Sequence, residues 1–340
     1  MRIVLVRLSA LGDIVHSWPL AETIKASKPD AHLTWVVESP FKPLVEGHPA
    51  VDAVIATATS SWRKRPLAAA TRIEIGRIKT LLRELQPDVC IDSQGTTKSA
   101  VVSRWTRAPQ RIGLAHPWRR ERLAGLAYTD RADGAPAGNH VVASNLRLLE
   151  PLRIEPPLQS RPDGRWLHAK VQHRAPAGPW SGAYAVILPG TGGAHKVLAT
   201  ETLAGVARDL AERGLEVVVL WGPGEKQRAS AVVASAGAGV FMAPPTDLEE
   251  MAALLGGAQL VIGGDTGPMH LAASFGVRTV GVFLASDWRR NGPLGDRTIV
   301  VSGAAPGPST PTGTARVRPL RPVSAEEIVT AATTVLEISG

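Results

Sequence analysis

The feature that most limits what this chain can become is an alternation, met twice, of short β-branched runs with helical stripes. Runs at 3–6 (IVLV), 33–37, 51–55 and 89–91 predict strands, and their separation by helix-length segments predicts a parallel sheet. Between the last two, Ile78, Leu81, Leu82 and Leu85 recur at i, i+3, i+4 and i+7, the stripe of a helix that covers a sheet, and Pro87 stops it. From 151 to 182 the periodicity fades, and Pro151, Pro156, Pro157, Pro162, Pro176 and Pro179 punctuate a polar stretch. The pattern then restarts with a strand at 184–188, a helix over 200–213, and strands at 215–220, 260–262 and 279–283. A second doubly wound sheet is the simplest account.

With 340 residues the chain exceeds what one hydrophobic core comfortably serves. The expected division is an N-terminal Rossmann-like domain over 1–155, a linker over 156–182, a second Rossmann-like domain over 183–322, and a last helix in 323–340. Ser324 and Glu327 form a capping box that opens this helix, which is expected to pack back on the N-terminal domain; 306–322 reads as an irregular crossing segment. Two α/β halves of this kind are expected to leave a cleft where the carboxyl ends of both sheets face each other.

Formal charge is +8, from 38 Lys+Arg against 30 Asp+Glu, which favours acidic partners without choosing among them. Nucleic acid is disfavoured, because no helix-turn-helix, zinc spacing or aromatic-basic RNA motif is present. The single cysteine, Cys90, sits in an apolar run and offers neither a disulfide nor a metal cluster. No signal peptide and no apolar stretch of membrane-spanning length is found, so a cytoplasmic protein is expected, one that touches lipid only from the surface.

Four places carry chemistry. Asp13, in SALGD after the first strand, stands at a strand-to-helix turn, where a carboxylate serves either as a general base toward a hydroxyl or as a helix cap. The run Gly263-Gly264-Asp265-Thr266-Gly267-Pro268-Met269-His270 joins a strand to a helix at 271–275, a junction whose open N–H groups suit a diphosphate. Within it Gly267 admits the phosphate and Asp265 suits sugar hydroxyls, while His270 reads equally well as a core histidine. The turn Pro189-Gly190-Thr191-Gly192-Gly193 leads to Lys196, an ammonium placed to neutralise a leaving diphosphate unless the loop is plain surface. Glu225 follows another strand and either grips a ribose or stabilises a helix start. Basic clusters at 62–65 (WRKR) and 118–122 (WRRER) match phosphate and carboxylate oxygens, the duller reading being a solvated cationic face.

With these pieces placed, the chain resembles the ADP-heptose:lipopolysaccharide heptosyltransferases, glycosyltransferase family nine, and within it the heptosyltransferase I branch. SALGDIVHSWP at 9–19, WVVE at 35–38, WRK at 62–64, DSQGTTKSA at 92–100, RRERLAGLAY at 119–128 and GGDTGPMHLAA at 263–273 carry the likeness, in family order along nearly the whole chain. The resemblance implies a GT-B fold and an inverting, metal-independent transfer without a cofactor. The heptose would pass from ADP-L-glycero-D-manno-heptose to a Kdo residue of Kdo-lipid A, in lipopolysaccharide inner-core synthesis. By position it implies Asp13 as the base, and Thr191 with Lys196 as the donor phosphate contact. Glu225 would hold the ribose, and Asp265, Thr266, Gly267 and His270 would form the donor pocket. Arg63, Lys64 and Arg120 would hold acceptor phosphates or carboxylates, with Gln94 and Gly95 lining the same cleft. A monomer, peripheral on the cytoplasmic face of the inner membrane, is expected.

The sequence departs from the family where Val197-Leu198-Ala199 replaces an aromatic residue and proline after Lys196, and Lys226 competes with Glu225 for the ribose position. Rival readings are a relative acting on a later core sugar and, from another class, a nucleotide-binding module or a dinucleotide-dependent oxidoreductase. Against the oxidoreductase, neither half shows a GxGxxG turn with an acidic residue at the proper distance.

Overall fold

The computed structural model describes residues 1–136, 139–191, 193, 196–303 and 321–338. Gly192 of the 189–193 turn, and 306–320 of the expected irregular segment, lie outside the described residues. The chain divides into two compact units, Met1–Pro162 and Asp163–Gly340.

The first unit is built on β1 (Arg2–Val6), β2 (His32–Glu38), β3 (Ala53–Thr57), β4 (Val89–Asp92), β5 (Gln110–Leu114) and β6 (Asp130–Ala132). They stand in the order β3-β2-β1-β4-β5-β6, every pair parallel. Central strands covered on both faces need continuous rather than alternating apolar sequence, and RIVLV and VCID answer that need with almost no exposed position. Trp18 and Trp35 are fully buried in this unit, and each still satisfies its indole N–H. Trp18 donates to Leu44 O at 2.9 Å, and Trp35 to Arg7 O at 3.2 Å, which pins the end of β1.

The second unit repeats the plan with β7 (Tyr184–Leu188), β8 (Glu216–Val219), β9 (Val240–Met242), β10 (Leu260–Gly264), β11 (Arg278–Phe283) and β12 (Thr298–Ser302). Their order is β12-β11-β10-β7-β8-β9, again all parallel. Each sheet therefore reverses direction once, between β1 and β4 in the first and between β7 and β10 in the second. In open parallel sheets ligands bind at the carboxyl ends of strands at this switch point, because the loops there diverge to opposite faces.

The segment expected as a linker over 156–182 carries structure of its own. The segment 163–182 is not all linker, since the helix Arg165–Val171 buries Leu167 and Val171 and packs on the helix Leu248–Gly256. Gly164 donates to Ser274 O at 2.9 Å, and His168 stacks on Phe275 at 5.5 Å, so the second unit begins near residue 163. Two apolar residues four apart among prolines are too short a signal for a periodicity argument.

The last helix, Ala325–Glu337, packs on the sheet of the second unit and on its helix Thr200–Glu212. Ile328, Val329, Ala332 and Val335 enter the same core as Val206, Leu210, Val280 and Val282. Its apolar stripe finds an uncovered face on its own sheet, which is the shorter route to burial.

Four strands escaped the sequence reading. β5, β6 and β9 are short or carry Gly and Arg, and β12 is half-buried along its whole length. β5 contains Gly113 because the Tyr128 ring lies there; a Cβ would fall 2.2 Å from the ring.

Candidate active site at the two switch points

At the first switch point, β1 leads directly into Arg7 and β4 ends on Asp92. The chain turns after Leu8 into the helix Leu11–Val15, with Asp13 in its first turn. Asp13 sits between two guanidinium groups. Arg7 Nη2 lies 3.1 Å from Oδ1, and Arg120 Nη2 lies 2.9 Å from Oδ2.

The two arginines differ in freedom. Arg7 is 2% exposed, and its Nη1 donates to Ser93 O and its Nε to the main-chain carbonyl of Asp13. Arg120 has 43% of its side chain in solvent. Burial alone would raise the Asp13 pKa; Arg7 and then Arg120 outweigh it, helped by the Ala10 N–H, and the carboxyl titrates below its ordinary value. Asp13 is therefore an anion across the neutral range. Asp13 also serves the helix start, since the Ala10 N–H reaches Oδ2 at 3.4 Å, the longest of its three contacts.

Gln94 and Gly95 do framework work beside it. Gln94 is buried and its Oε1 accepts the Leu8 N–H at 2.8 Å, which fixes the turn before Asp13. Gly95, at φ +68°, accepts the Glu121 N–H at 3.0 Å, and a Cβ there would meet Arg119 Cβ at 3.2 Å. This close crossing holds the loop that delivers Arg120. Below both, the buried Asp92 accepts the N–H groups of Gln94 and Gly95 and the Tyr128 hydroxyl at 2.8 Å. Burial still holds its pKa above the ordinary carboxylate range.

Of the basic residues at 62–65, Arg63 lines a groove of about 510 Å³ with Thr59, Trp62, Thr97, Lys98 and Trp105, and Lys64 is exposed. Two residues that the sequence reading left without a role join this site. Lys98 Nζ donates to Ser9 Oγ at 3.1 Å and stands 3.7 Å from the buried Glu38. Arg7 is the other. A cation directly after the first strand, six residues before Asp13, was the available signal for it, and Lys98 lay within the DSQGTTKSA motif.

At the second switch point, β7 leads into Thr191 and Lys196, and β10 into Asp265. Lys196 Nζ meets Asp265 Oδ2 at 2.5 Å, and His270 Nε2 stands 3.6 Å from Oδ1. Burial opposes ionisation of Asp265, but His270 and Lys196 prevail and hold its pKa far below the usual carboxylate range.

The helix begins at Gly267, four residues earlier than expected, with Thr266 as N-cap and no side-chain capping bond. Its first-turn N–H groups consequently remain for a ligand, and Pro268 has none to lose. Thr191 donates to Gly193 O at 2.9 Å, and its methyl lies against Gly264, where a Cβ would come within 2.5 Å.

Glu225 reaches the same place from the end of β8. Its Oε2 accepts the Gly222 N–H at 2.8 Å, and its carboxylate fills the space that a side chain on Gly190 would need, since a Cβ there would fall 1.6 Å from Oε1. Lys226 instead holds its ammonium 5.8 Å from the centre of the Trp221 ring. Geometry thus favours Glu225 over its neighbour for a ligand in this turn.

The glycosyltransferase family 9 (heptosyltransferase) pattern matches residues 75–314, well over half of the chain. This chain belongs to that family. Lipopolysaccharide heptosyltransferase 1 of Pseudomonas aeruginosa is 31% identical over 283 residues, covering 83% of this chain and 78% of the relative. Among solved structures, E. coli heptosyltransferase WaaC with ADP superposes with a TM-score of 0.82 at 27% identity, covering 98% of this chain and all of that one. The same enzyme with ADP-2-deoxy-2-fluoro heptose gives 0.79, with 98% and 99% covered. The twin doubly wound sheets are those of the GT-B class, and the family 9 motifs fall on both switch points.

Proposed function

We propose that this family 9 member transfers L-glycero-D-manno-heptose from ADP-heptose to a Kdo residue of Kdo-lipid A, with inversion at the anomeric carbon and without a metal. The observation that carries the reading is Asp13, kept ionised between Arg7 and Arg120 at the first switch point. Transfer needs a group that takes the acceptor hydroxyl's proton as its oxygen attacks the anomeric carbon. A carboxylate held by arginines gives up some proton affinity and gains fixed charge and fixed aim, which suits proton transfer late in bond formation.

On the donor side the difficulty is the charge that develops on ADP as the glycosidic bond breaks. Lys196 and the open first turn of Gly267–Ser274 are the groups to meet it, and their dipoles and charge are in place before reaction. Asp265 and His270 orient Lys196, Thr191 and Thr266 border the phosphates, and Glu225 accepts from the ribose hydroxyls. The two WaaC structures, one with ADP and one with a fluorinated ADP-heptose, support this assignment of donor.

Arg63, Lys64 and Arg120 would meet the carboxylates and phosphates of the acceptor, whose anionic character the +8 charge suits. No helix among the described residues is long and apolar enough to cross a membrane, so contact with the inner membrane would be peripheral, by a monomer on its cytoplasmic face.

The test is direct. Purified protein is incubated with ADP-heptose and Kdo-bearing lipid A, and the product is weighed by mass spectrometry; GDP- and UDP-sugars and an acceptor already carrying heptose run in parallel. Addition of one heptose only from ADP-heptose and only to the unheptosylated acceptor is expected. Transfer to the pre-heptosylated acceptor alone would move the chain to a later core step, and no transfer at all would remove the reading.

A further inference from the structure

The 3-10 helix Arg122–Ala127 is amphipathic in an unusual sense. Residues three apart eclipse one another in such a helix. Ala124 and Ala127 share its inner side, where they pack with Ala100 and Tyr128 against the helix Thr97–Trp105. Leu123 and Leu126 share the outer side, 66% and 82% exposed. Small residues inside bring the helix close, and the leucines outside gain nothing from the fold.

Val101, 43% exposed, belongs to the helix on which this one packs. A single exposed leucine calls for no explanation, whereas an eclipsed pair on one short helix, with a third apolar side chain on its packing partner, does.

The surroundings of the leucines are cationic by construction. The Arg119 guanidinium lies over Gly125, so close that a Cβ there would be 2.6 Å from Cζ, and its Nε donates to Arg122 O at 3.2 Å. Arg131 Nη2 donates to Gly125 O at 3.0 Å. Arg122 itself is exposed, and Arg104 follows Val101 by one helical turn. The nearby carboxylates, Glu121 bonded by the N–H and hydroxyl of Thr97 and Asp130 by the Thr129 hydroxyl at 2.6 Å, are outnumbered by Arg104, Arg119, Arg122 and Arg131. Guanidinium groups anchored on backbone carbonyls beside outward leucines form a ring of fixed cations around an apolar tip.

We propose that this tip docks the first unit onto an anionic lipid surface, with Leu123 and Leu126 entering the headgroup layer and Arg119, Arg122 and Arg131 meeting lipid phosphates. Two leucines are too small a patch for a specific protein interface, which buries on the order of 1,000 Å² or more, but suit shallow insertion assisted by charge; Val101 borders the neighbouring groove with Arg63. The proposal rests on the reading of the acceptor as a membrane lipid and names the surface that would bring the enzyme to it.

The test is cosedimentation of the full chain with vesicles of phosphatidylcholine mixed with phosphatidylglycerol, against phosphatidylcholine alone. Binding to the mixed vesicles that weakens with added salt is expected. The L123S/L126S double variant should lower the partition coefficient about tenfold or more, by loss of apolar insertion. R122Q should have a smaller, salt-dependent effect. L158S, at a fully exposed leucine elsewhere in the unit, should change nothing.

L123S/L126S should keep wild-type turnover on a deacylated, water-soluble acceptor, which separates docking from catalysis. If no form of the chain transfers heptose, the transferase reading fails while the vesicle result still stands by itself. Wild-type vesicle binding by L123S/L126S, an equal loss in L158S, or a dimer that dissociates in L123S/L126S would each overturn the docking proposal.

Discussion

Replacing Gly190 by alanine tests the donor turn while leaving Glu225, Thr191 and Lys196 in the sequence. The added Cβ would stand 1.6 Å from Glu225 Oε1 and 2.1 Å from its Cδ, so one of them must move. The obstacle is the far end of a flexible side chain, and the carboxylate swings away while the end of β7 stays.

The fold then loses one bond, from the half-buried Gly222 N–H to the Glu225 carboxylate at 2.8 Å, worth about 1.5–3 kcal/mol before water replaces part of it. At about 2–4 °C per kcal/mol for a unit of this size, the melting temperature of the second unit should fall by no more than about 12 °C. Donor binding suffers as well, because a hydrogen bond from a ribose hydroxyl to the same carboxylate is worth about 1.5–3 kcal/mol. ADP affinity measured by calorimetry should therefore fall by roughly 10- to 100-fold.

Glu225→Ala should weaken ADP by a similar factor, and the double variant should be no worse than either single one, since both remove the same contact. Wild-type ADP affinity in Gly190→Ala would refute the ribose assignment, as would full additivity in the double variant.

Other outcomes follow from the same geometry. Asp13→Asn should lower turnover about 100- to 10,000-fold with ADP affinity unchanged, and an equal loss of both by calorimetry and rate assay would remove the base assignment. Because two arginines hold the Asp13 pKa below its ordinary value, kcat/KM should fall only as pH drops through that lowered value. Arg120→Met removes a cation that favours the carboxylate, so the acid limb of the profile should move to higher pH, and an unmoved limb would count against the pairing. Lys196→Ala should raise the donor KM and lower kcat with the acceptor KM little changed; unchanged donor kinetics would exclude its contact. Arg63→Gln with Lys64→Gln should raise the acceptor KM and flatten its salt dependence, whereas indifference would mark both as plain surface charge.

The doubly wound halves were legible because buried parallel strands need unbroken apolar runs, and β1, β2, β7 and β11 supply them. β6, with three residues reading DRA, is a strand only because β5 offers it an edge, which no local signal records. Asp13, Lys196 and Asp265 were found because each follows a strand at a turn of small residues. Their partnerships were not, since Asp13 meets Arg120 across 107 positions and Lys196 meets Asp265 across 69. Arg7 was overlooked because an arginine ending a strand ordinarily points to water, whereas this one is buried with its charge matched by Asp13. The last helix was legible in extent, yet its apolar stripe names no destination.

Among the described residues, one core gathers around β7, β8, β10 and β11, and another around β1, β2 and β4. Every bond described at the Asp13 turn closes within the first unit, and every bond at the Lys196 turn within the second. Grafting residues 163–340 of a relative with another donor preference onto 1–162 of this chain would leave each network of contacts whole. On the proposed reading, such a chimera should keep this chain's acceptor and take the relative's sugar nucleotide, a reassortment of traits at a single junction that a transfer assay with both donors checks.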